Sequence, residues 1–172
     1  MRISKQCVLI ATIIMLTLPG CGLANVVSDN ADDLPGESPA SDEFTIVRLN
    51  RADGQLAELL KAEAAKARQL GQTPFVEFYA DWCPPCNALR QSLGDEQMVD
   101  AFAGTYIIQL DTDEWKSKLP GTGFDVRGIP AFFELDHEGR PTGRTITGAA
   151  WGEDVPENMA PPLKSFFQKK AQ

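Results

Sequence analysis

The sequence is poor in histidine, in basic residues and in long apolar runs. It has 172 residues with one histidine, and 24 acidic side chains outnumber 16 basic ones, for a formal net charge of −8. An acidic surface repels phosphate backbones, so we expect no nucleic-acid partner. It also offers no basic patch that could hold the chain on anionic lipid. Any attachment to a membrane must therefore depend on something other than charge.

The apolar stretch near the N-terminus is too short for a membrane span. It runs from Cys7 to Leu18, which as a helix would measure roughly 18 Å against a hydrocarbon core of roughly 30 Å. Arg2 and Lys5 precede it, as is typical of an export signal. The following Leu18-Pro-Gly-Cys21 resembles a bacterial lipobox, in which the cysteine is acylated. We predict a lipoprotein signal peptide at residues 1–20 and lipidation at Cys21; the alternative is an ordinary signal peptide with an incidental cysteine.

Residues 21–43 have no apolar periodicity and are rich in acidic residues, proline, serine and glycine. Such a segment buries too little surface to offset its ordering entropy, so we predict a flexible acidic tether. The globular domain is then expected at residues 44–172.

Cysteine is scarce, with four in the chain. Cys7 would leave with the signal peptide and Cys21 would carry lipid, so Cys83 and Cys86 remain. Outside the cytoplasm, a lone closely spaced pair is either a structural staple or a redox couple.

Apolar patterns predict strands that alternate with helices. The first predicted helix has Asp53 as its N-cap and ends near Gln69, and the second runs from Pro84 to Leu93. A third helix is predicted to start after Asp95, and a last one closes the chain from Pro161 to Lys170. A turn-rich link, Asp136–Gly139, indicates a final hairpin. The predicted strands are Phe44–Leu49, Phe75–Tyr79, Tyr106–Leu110, Ala131–Leu135 and Arg144–Gly148. This order predicts an α/β fold with a central mixed sheet and helices on both faces.

Cys83-Pro84-Pro85-Cys86 lies between a predicted buried strand and a helix. A sulfur at a helix N-terminus is favoured as thiolate, and one turn of helix brings the second cysteine within disulfide reach. We expect an accessible Cys83 that attacks and a partly covered Cys86 that resolves. Because neither proline has an N–H, we expect a moderately depressed pKa for Cys83 and a couple on the reducing side.

Two segments, Phe75–Cys86 and Val126–Pro130, resemble the thioredoxin family in the right order and spacing, and the resemblance spans most of residues 44–170. It implies the thioredoxin fold and a protein-disulfide oxidoreductase that needs no cofactor beyond its dithiol. It further implies a cis Pro130 against the disulfide and an Ile129 backbone that pairs with an extended substrate. The alternative for Gly128-Ile129-Pro130 is a plain turn before a strand.

Two further residues gain roles from the resemblance. Glu77 would exchange a proton with Cys86, unless it is a solvent-facing residue on a half-exposed strand. Trp82 is expected to cover the disulfide and contact substrates, with an exposed structural aromatic as the alternative. Gln109 stands where many thioredoxins have a lysine near the buried acid, so that charge coupling is expected to be missing.

The sequence therefore predicts a lipid-anchored reductase of protein disulfides, exported and facing the periplasm or cell exterior of a bacterium. A membrane electron donor would re-reduce it. The alternatives are a disulfide oxidase or isomerase, a copper or zinc carrier, and an interaction module stapled by its disulfide. No metal site is expected, because two thiols and a distant His137 in a solvated turn make a poor ligand set.

Overall fold

The computed structural model describes residues 43–169, in which one five-stranded sheet carries helices on both faces. The strands are β1 (Thr45–Arg48), β2 (Thr73–Tyr79), β3 (Thr105–Asp111), β4 (Ala131–Leu135) and β5 (Pro141–Thr147). The helices are α1 (Leu56–Gln69), α2 (Pro84–Ser92), α3 (Glu96–Phe102), α4 (Thr112–Trp115) and α5 (Pro156–Gln168). Single 3-10 turns lie at Arg51–Asp53, Lys116–Lys118 and Gly148–Ala150.

The sheet is mixed, with strand order β1-β3-β2-β4-β5. β1, β3 and β2 are parallel, whereas β4 runs antiparallel to β2 and β5 antiparallel to β4. β2 is central, and its residues from Phe75 to Tyr79 are all buried. A strand covered on both faces needs a nearly continuous apolar run, which explains the pattern seen in the sequence. Its carboxyl end leads directly to Cys83.

The core has one apolar layer on each side of the sheet. On one face Leu60 of α1 packs with Phe78 and Ile108, and Trp115 of α4 belongs to the same cluster. On the other face α2, α3 and α5 pack against Phe75 and its neighbours. The predicted mixed sheet with helices on both faces is confirmed.

The link between β4 and β5 is a tight turn, as predicted. The Gly139 N–H donates to the Asp136 carbonyl at 3.0 Å, and Gly139 has φ of +77°. A Cβ at Gly139 would lie 2.6 Å from the backbone of Leu60, so the turn packs directly on α1. Both the positive φ and the close approach require glycine here.

Asp53 is not the N-cap of α1, contrary to the prediction. It closes a 3-10 turn in which its carboxylate accepts the backbone N–H of Asn50 at 2.8 Å. Gly54 then intervenes, and α1 begins at Leu56 after Gln55. The aspartate forms a local capping interaction with the preceding turn, which the apolar pattern of the helix does not reveal.

The C-terminal helix starts five residues earlier than predicted, at Pro156 rather than Pro161. Proline is favoured in the first turn of a helix, which suits Pro156. Pro161 and Pro162 instead lie inside the helix, where each removes an N–H donor. The buried face of the helix packs against the sheet and offsets that loss; it consists of Met159, Ala160, Leu163 and Phe167. The predicted last residue, Lys170, lies outside the described residues.

Candidate active site

Cys83 is the N-cap of α2 and forms a disulfide with Cys86. The two Cα atoms are 5.3 Å apart, a normal span for a disulfide, because three residues make nearly one helical turn. The Cys83 sulfur accepts the backbone N–H of Cys86 at 3.2 Å. The helix start and the pairing inferred from the spacing are both present.

The two prolines fill the first positions of α2. An N-cap side chain normally accepts from the second or third backbone N–H of the helix. Pro85 occupies the second position and has no N–H, so Cys86 supplies the donor to Cys83. The N-terminus of α2 thus presents fewer donors to this sulfur than a proline-free helix would.

The disulfide is more deeply buried than the sequence predicted. Cys83 is 2% exposed and Cys86 1%, so the expectation of an accessible first cysteine is wrong for the oxidised protein. Tyr79, Ala80 and Ile129 pack around the pair. Sequence spacing places a sulfur at a helix end, whereas its exposure depends on a loop that lies 46 residues away in the chain.

That loop is the Ile129–Pro130 segment, whose peptide bond is cis as the resemblance implied. The Ile129 carbonyl oxygen lies 3.8 Å from the Cys83 sulfur. The Pro130 carbonyl accepts the backbone N–H of Gly148 at 2.9 Å, which ties the loop to the end of β5. Backbone groups of Ile129 therefore border the redox pair.

Glu77 is a buried acid on the central strand, with 3% of its surface exposed, so the solvent-facing alternative is wrong. Burial raises the pKa of its carboxyl from 4.5 to about 7. The amide of Gln109 donates to Glu77 Oε2 at 2.8 Å and opposes that rise. The sequence analysis placed Gln109 beside the acid but did not predict this hydrogen bond. Parallel pairing of the two buried strands that contain Glu77 and Gln109 could have predicted it.

Two arginines near Glu77 were also missed. Arg48 and Arg90 lie over the Tyr79 ring, at 4.7 and 5.5 Å from its centroid. Both approach Asp81 Oδ1, at 3.9 and 3.4 Å respectively. The charges of Arg90 and Arg48 lower the pKa of Glu77, against the larger effect of burial. Their spacing in the sequence, on β1 and α2, gives no hint of this cluster.

Trp82 is 66% exposed, and its indole N–H donates to Asp113 Oδ2 at 2.7 Å. Asp113 lies in α4, a short helix that the sequence did not predict. The hydrogen bond fixes an exposed aromatic beside the cysteines. Its predicted contact with substrates stays a prediction.

The comparisons with known proteins agree with this geometry. The thioredoxin family model matches residues 60–160, which is more than half of the chain. The chain belongs to the thioredoxin family of thiol–disulfide oxidoreductases.

Two curated relatives are similar to the thioredoxin domain. A protein disulfide isomerase-like protein 5-3 of Oryza sativa subsp. japonica is 32% identical over 69% of this chain and 26% of its own length. The thiol:disulfide interchange protein DsbD of Pseudoalteromonas atlantica is 33% identical over 49% of this chain and 15% of its own length. The chain thus spans about a quarter or less of these relatives.

A solved disulphide isomerase from Xylella fastidiosa Temecula1 shares the thioredoxin fold. Its TM-score is 0.50 at 20% identity, covering 66% of this chain and 89% of that one. At this identity the likeness concerns the fold alone.

Within residues 43–169, no group of three or more histidine, cysteine or carboxylate side chains could hold a metal ion. Binding of a metal by the cysteine pair alone stays untested. His137 is 71% exposed and lies 4.0 Å from a Glu138 oxygen. It therefore occupies the solvated turn that the sequence indicated.

The predicted signal peptide, the lipidated Cys21 and the tether up to residue 42 lie outside the described residues. Glu43, predicted as the last tether residue, instead belongs to the domain, because its carbonyl accepts the Gly104 N–H at 3.1 Å and the Gln72 amide at 3.0 Å. Across residues 43–169, no helix of the thioredoxin domain combines the length and apolar character that crossing a membrane requires.

Proposed function

We propose that this protein reduces disulfides of other exported proteins through the Cys83–Cys86 dithiol. The observation that carries the proposal is the disulfide at the start of α2, bordered by the Ile129 backbone. Two thiols within one helical turn can form a disulfide while they reduce a substrate disulfide, so no separate cofactor is required.

The reaction takes two exchange steps. The Cys83 thiolate attacks one sulfur of the substrate disulfide, that S–S bond breaks, and the released substrate thiolate takes a proton. Cys86 then gives up its proton, and its thiolate attacks the Cys83 sulfur. The mixed disulfide breaks, and the second substrate thiolate leaves and is protonated. The protein ends as the disulfide seen here, and the substrate gains two electrons and two protons.

Glu77 is the proposed proton acceptor for Cys86. Its pKa of about 7 means that protonated and ionised forms coexist near neutral pH, which is what a group that both accepts and returns a proton requires. Glu77 lies two residues before Tyr79 on the same face of β2, and Tyr79 belongs to the buried cluster that contains both cysteines.

The proposed direction is reduction, because few donors stabilise the Cys83 thiolate. A less stabilised thiolate makes the dithiol a stronger electron donor. The prolines at the first two positions of α2 support this direction. Running the same chemistry as an oxidase or isomerase is the alternative, and binding of copper or zinc by the pair is a less favoured one.

Trp82, Ile129 and Pro130 are proposed to bind the substrate. Backbone pairing with an extended segment gives affinity without demanding one sequence, and the Ile129 carbonyl lies beside the reactive sulfur. The exposed indole of Trp82 offers apolar area on the cysteine loop.

We further propose that the domain works outside the cytoplasm, tethered to a bacterial membrane through lipid on Cys21. A reductase in an oxidising compartment needs electrons from elsewhere, so a membrane protein that presents a reducing dithiol is the proposed donor. The relative named as a thiol:disulfide interchange protein is consistent with chemistry of this kind.

Insulin reduction and equilibration with glutathione test the activity together. We expect the wild-type protein to precipitate insulin in the presence of dithiothreitol, and Cys83→Ser to lose this activity. A potential near that of thioredoxin, about −270 mV, would support a reductase, whereas one near −120 mV would indicate an oxidant. Stoichiometric copper or zinc in the purified reduced protein would favour the carrier instead.

The anchor has its own test in the mass of the protein made in a bacterium. We expect the mature chain to begin at Cys21 with attached acyl groups, and globomycin to leave the uncleaved precursor. Cys21→Ser should remove the attached acyl groups and, like globomycin, leave the signal peptide uncleaved. A mature form without fatty acid would overturn the lipoprotein proposal and leave the exchange chemistry untouched.

A further inference from the structure

A small cavity lies beside the redox centre, with walls from three segments. Pro85 of α2 forms one wall, Gly128 and Ile129 form the second, and residues 147–154 form the third. The cavity measures about 230 Å³, below the roughly 300–1,000 Å³ of small-molecule sites. Its size therefore suits one amino-acid side chain.

The third wall is held firmly against the cis-proline loop. A Cβ on Gly148 would lie 3.2 Å from Pro130 Cδ and 3.6 Å from Trp151 Cζ2. Trp151 itself is only 6% exposed and packs in the core beneath α5. This segment, which the two family motifs do not include, is thus a fixed part of the site.

Asp154 is the charged residue among those that line the cavity. The Trp151 indole N–H donates to Asp154 Oδ1 at 3.0 Å and orients the carboxylate. Oδ2 accepts no hydrogen bond, and the side chain has no ion pair, within residues 43–169. Arg127, which directly precedes Gly128 of the second wall, is already paired with Asp125 at 2.6 Å. The cavity is therefore lined by an oriented carboxylate that forms no ion pair within residues 43–169.

We propose that this cavity is a substrate subsite in which Asp154 receives a lysine or arginine side chain from the segment that flanks the substrate cysteine. The inference rests on the proposed function, because it assumes a substrate extended along Ile129. Alternate side chains of an extended segment point to opposite sides. Ile129 packs against the cysteine pair, Pro85 directly precedes Cys86, and both line the cavity. A side chain near the substrate cysteine can therefore enter it. A cation there gains an ion pair, and an acidic side chain meets repulsion.

Synthetic peptides test the subsite. Each contains one cysteine as a mixed disulfide with 2-mercaptoethanol, and lysine, glutamine or glutamate is placed in turn at the two positions on either side of it. Release of the peptide thiol by the reduced full-length protein is followed by chromatography. For at least one position we expect kcat/KM for lysine to exceed that for glutamate about fivefold, the effect of one exposed ion pair. The preference should shrink at high salt.

The lysine-to-glutamate ratio within each variant is the decisive readout, because it cancels any loss of folded protein. Asp154→Asn should bring the ratio close to one, and Asp154→Lys should invert it. Trp151→Phe removes the N–H donor and should lower the ratio partway, as expected for a positioning residue. Asp100→Asn on α3, which breaks an ion pair with Lys164, should keep the wild-type ratio.

Two failures have different meanings. If the wild-type protein reduces all peptides at one rate, or Asp154→Asn keeps the preference, the subsite is overturned while the reductase remains. If no peptide is reduced by the wild type, the proposed function itself fails.

Discussion

The side-chain amide of Gln109 donates a hydrogen bond to Glu77 Oε2 at 2.8 Å. The two residues face each other in the β2–β3 register, beneath the sheet face that carries α2. A neutral amide satisfies the acid without supplying a positive charge. Burial therefore dominates, and the pKa of Glu77 rises to about 7.

Replacing Gln109 should move the pKa of Glu77 in either direction. Gln109→Leu removes the hydrogen bond that favours the ionised carboxylate, so the pKa should rise above about 7. Gln109→Lys places an ammonium group at the same position and should lower it. Carboxyl 13C shifts of the oxidised protein, recorded against pH, measure both. Equal pKa values in the three proteins would show that Gln109 does not set the proton affinity of Glu77.

Glu77→Gln should stabilise the protein at alkaline pH. The pKa of Glu77 is about 7 in the folded state and 4.5 in its ordinary state, so the fold favours the neutral carboxyl. Below pH 4.5 the wild type suffers no cost of burying a charge, and its stability then falls as pH rises through about 7. The interval between these two pKa values corresponds to a loss of about 3 kcal/mol in the free energy of unfolding.

Urea unfolding of oxidised Glu77→Gln and wild type at pH 4 and pH 9 checks this sign. The difference in unfolding free energy between the two proteins should shift in favour of the variant by about 3 kcal/mol between these pH values. Glu157→Gln, an exposed acid in the first turn of α5, is the matched control and should show little change. A pH-independent difference would contradict a raised pKa.

Arg48→Gln and Arg90→Gln should each raise the pKa of Glu77. Both guanidinium groups flank Tyr79 and favour the ionised carboxylate. The same carboxyl 13C titration measures the change, and the double variant should shift further than either single one. Arg68→Gln, on the exposed side of α1, is the control. A shift as large in that control would show that overall net charge, rather than this pair, is responsible.

The fold was largely predictable because its strands and helices have distinct apolar periods. Most predicted site residues lie in two segments, the motif around Cys83 and the Ile129–Pro130 segment. The structure brings these two segments together. Cys83 was placed correctly at a helix start. These predictions depend on local sequence, which a motif records.

What the sequence could not give depends on contacts between distant segments. The depth of Cys83 is set by Ile129. The environment of Glu77 on β2 is set by Gln109 on the neighbouring β3 and by Arg48 on β1, one strand further. The early start of α5 was missed because two internal prolines are tolerated only when burial on the sheet compensates. Periodicity alone contains no information on such compensation.

Pro85 should control the reactivity of Cys83 more strongly than Pro84 does. The proline at the second helical position removes a donor that would otherwise point at the N-cap sulfur. Pro85→Ala restores that N–H, so it should lower the pKa of the Cys83 thiol and make the couple more oxidising. A hydrogen bond to a charged group, with a strength of about 1.5 kcal/mol, would increase the thiolate-to-thiol ratio about tenfold at a given pH.

Pro84→Ala is the matched control, because the first helical N–H is not the one that an N-cap side chain accepts. Iodoacetamide alkylation against pH and equilibration with glutathione measure the two effects, and an equal response of both variants would show that removal of this particular donor does not set the redox poise.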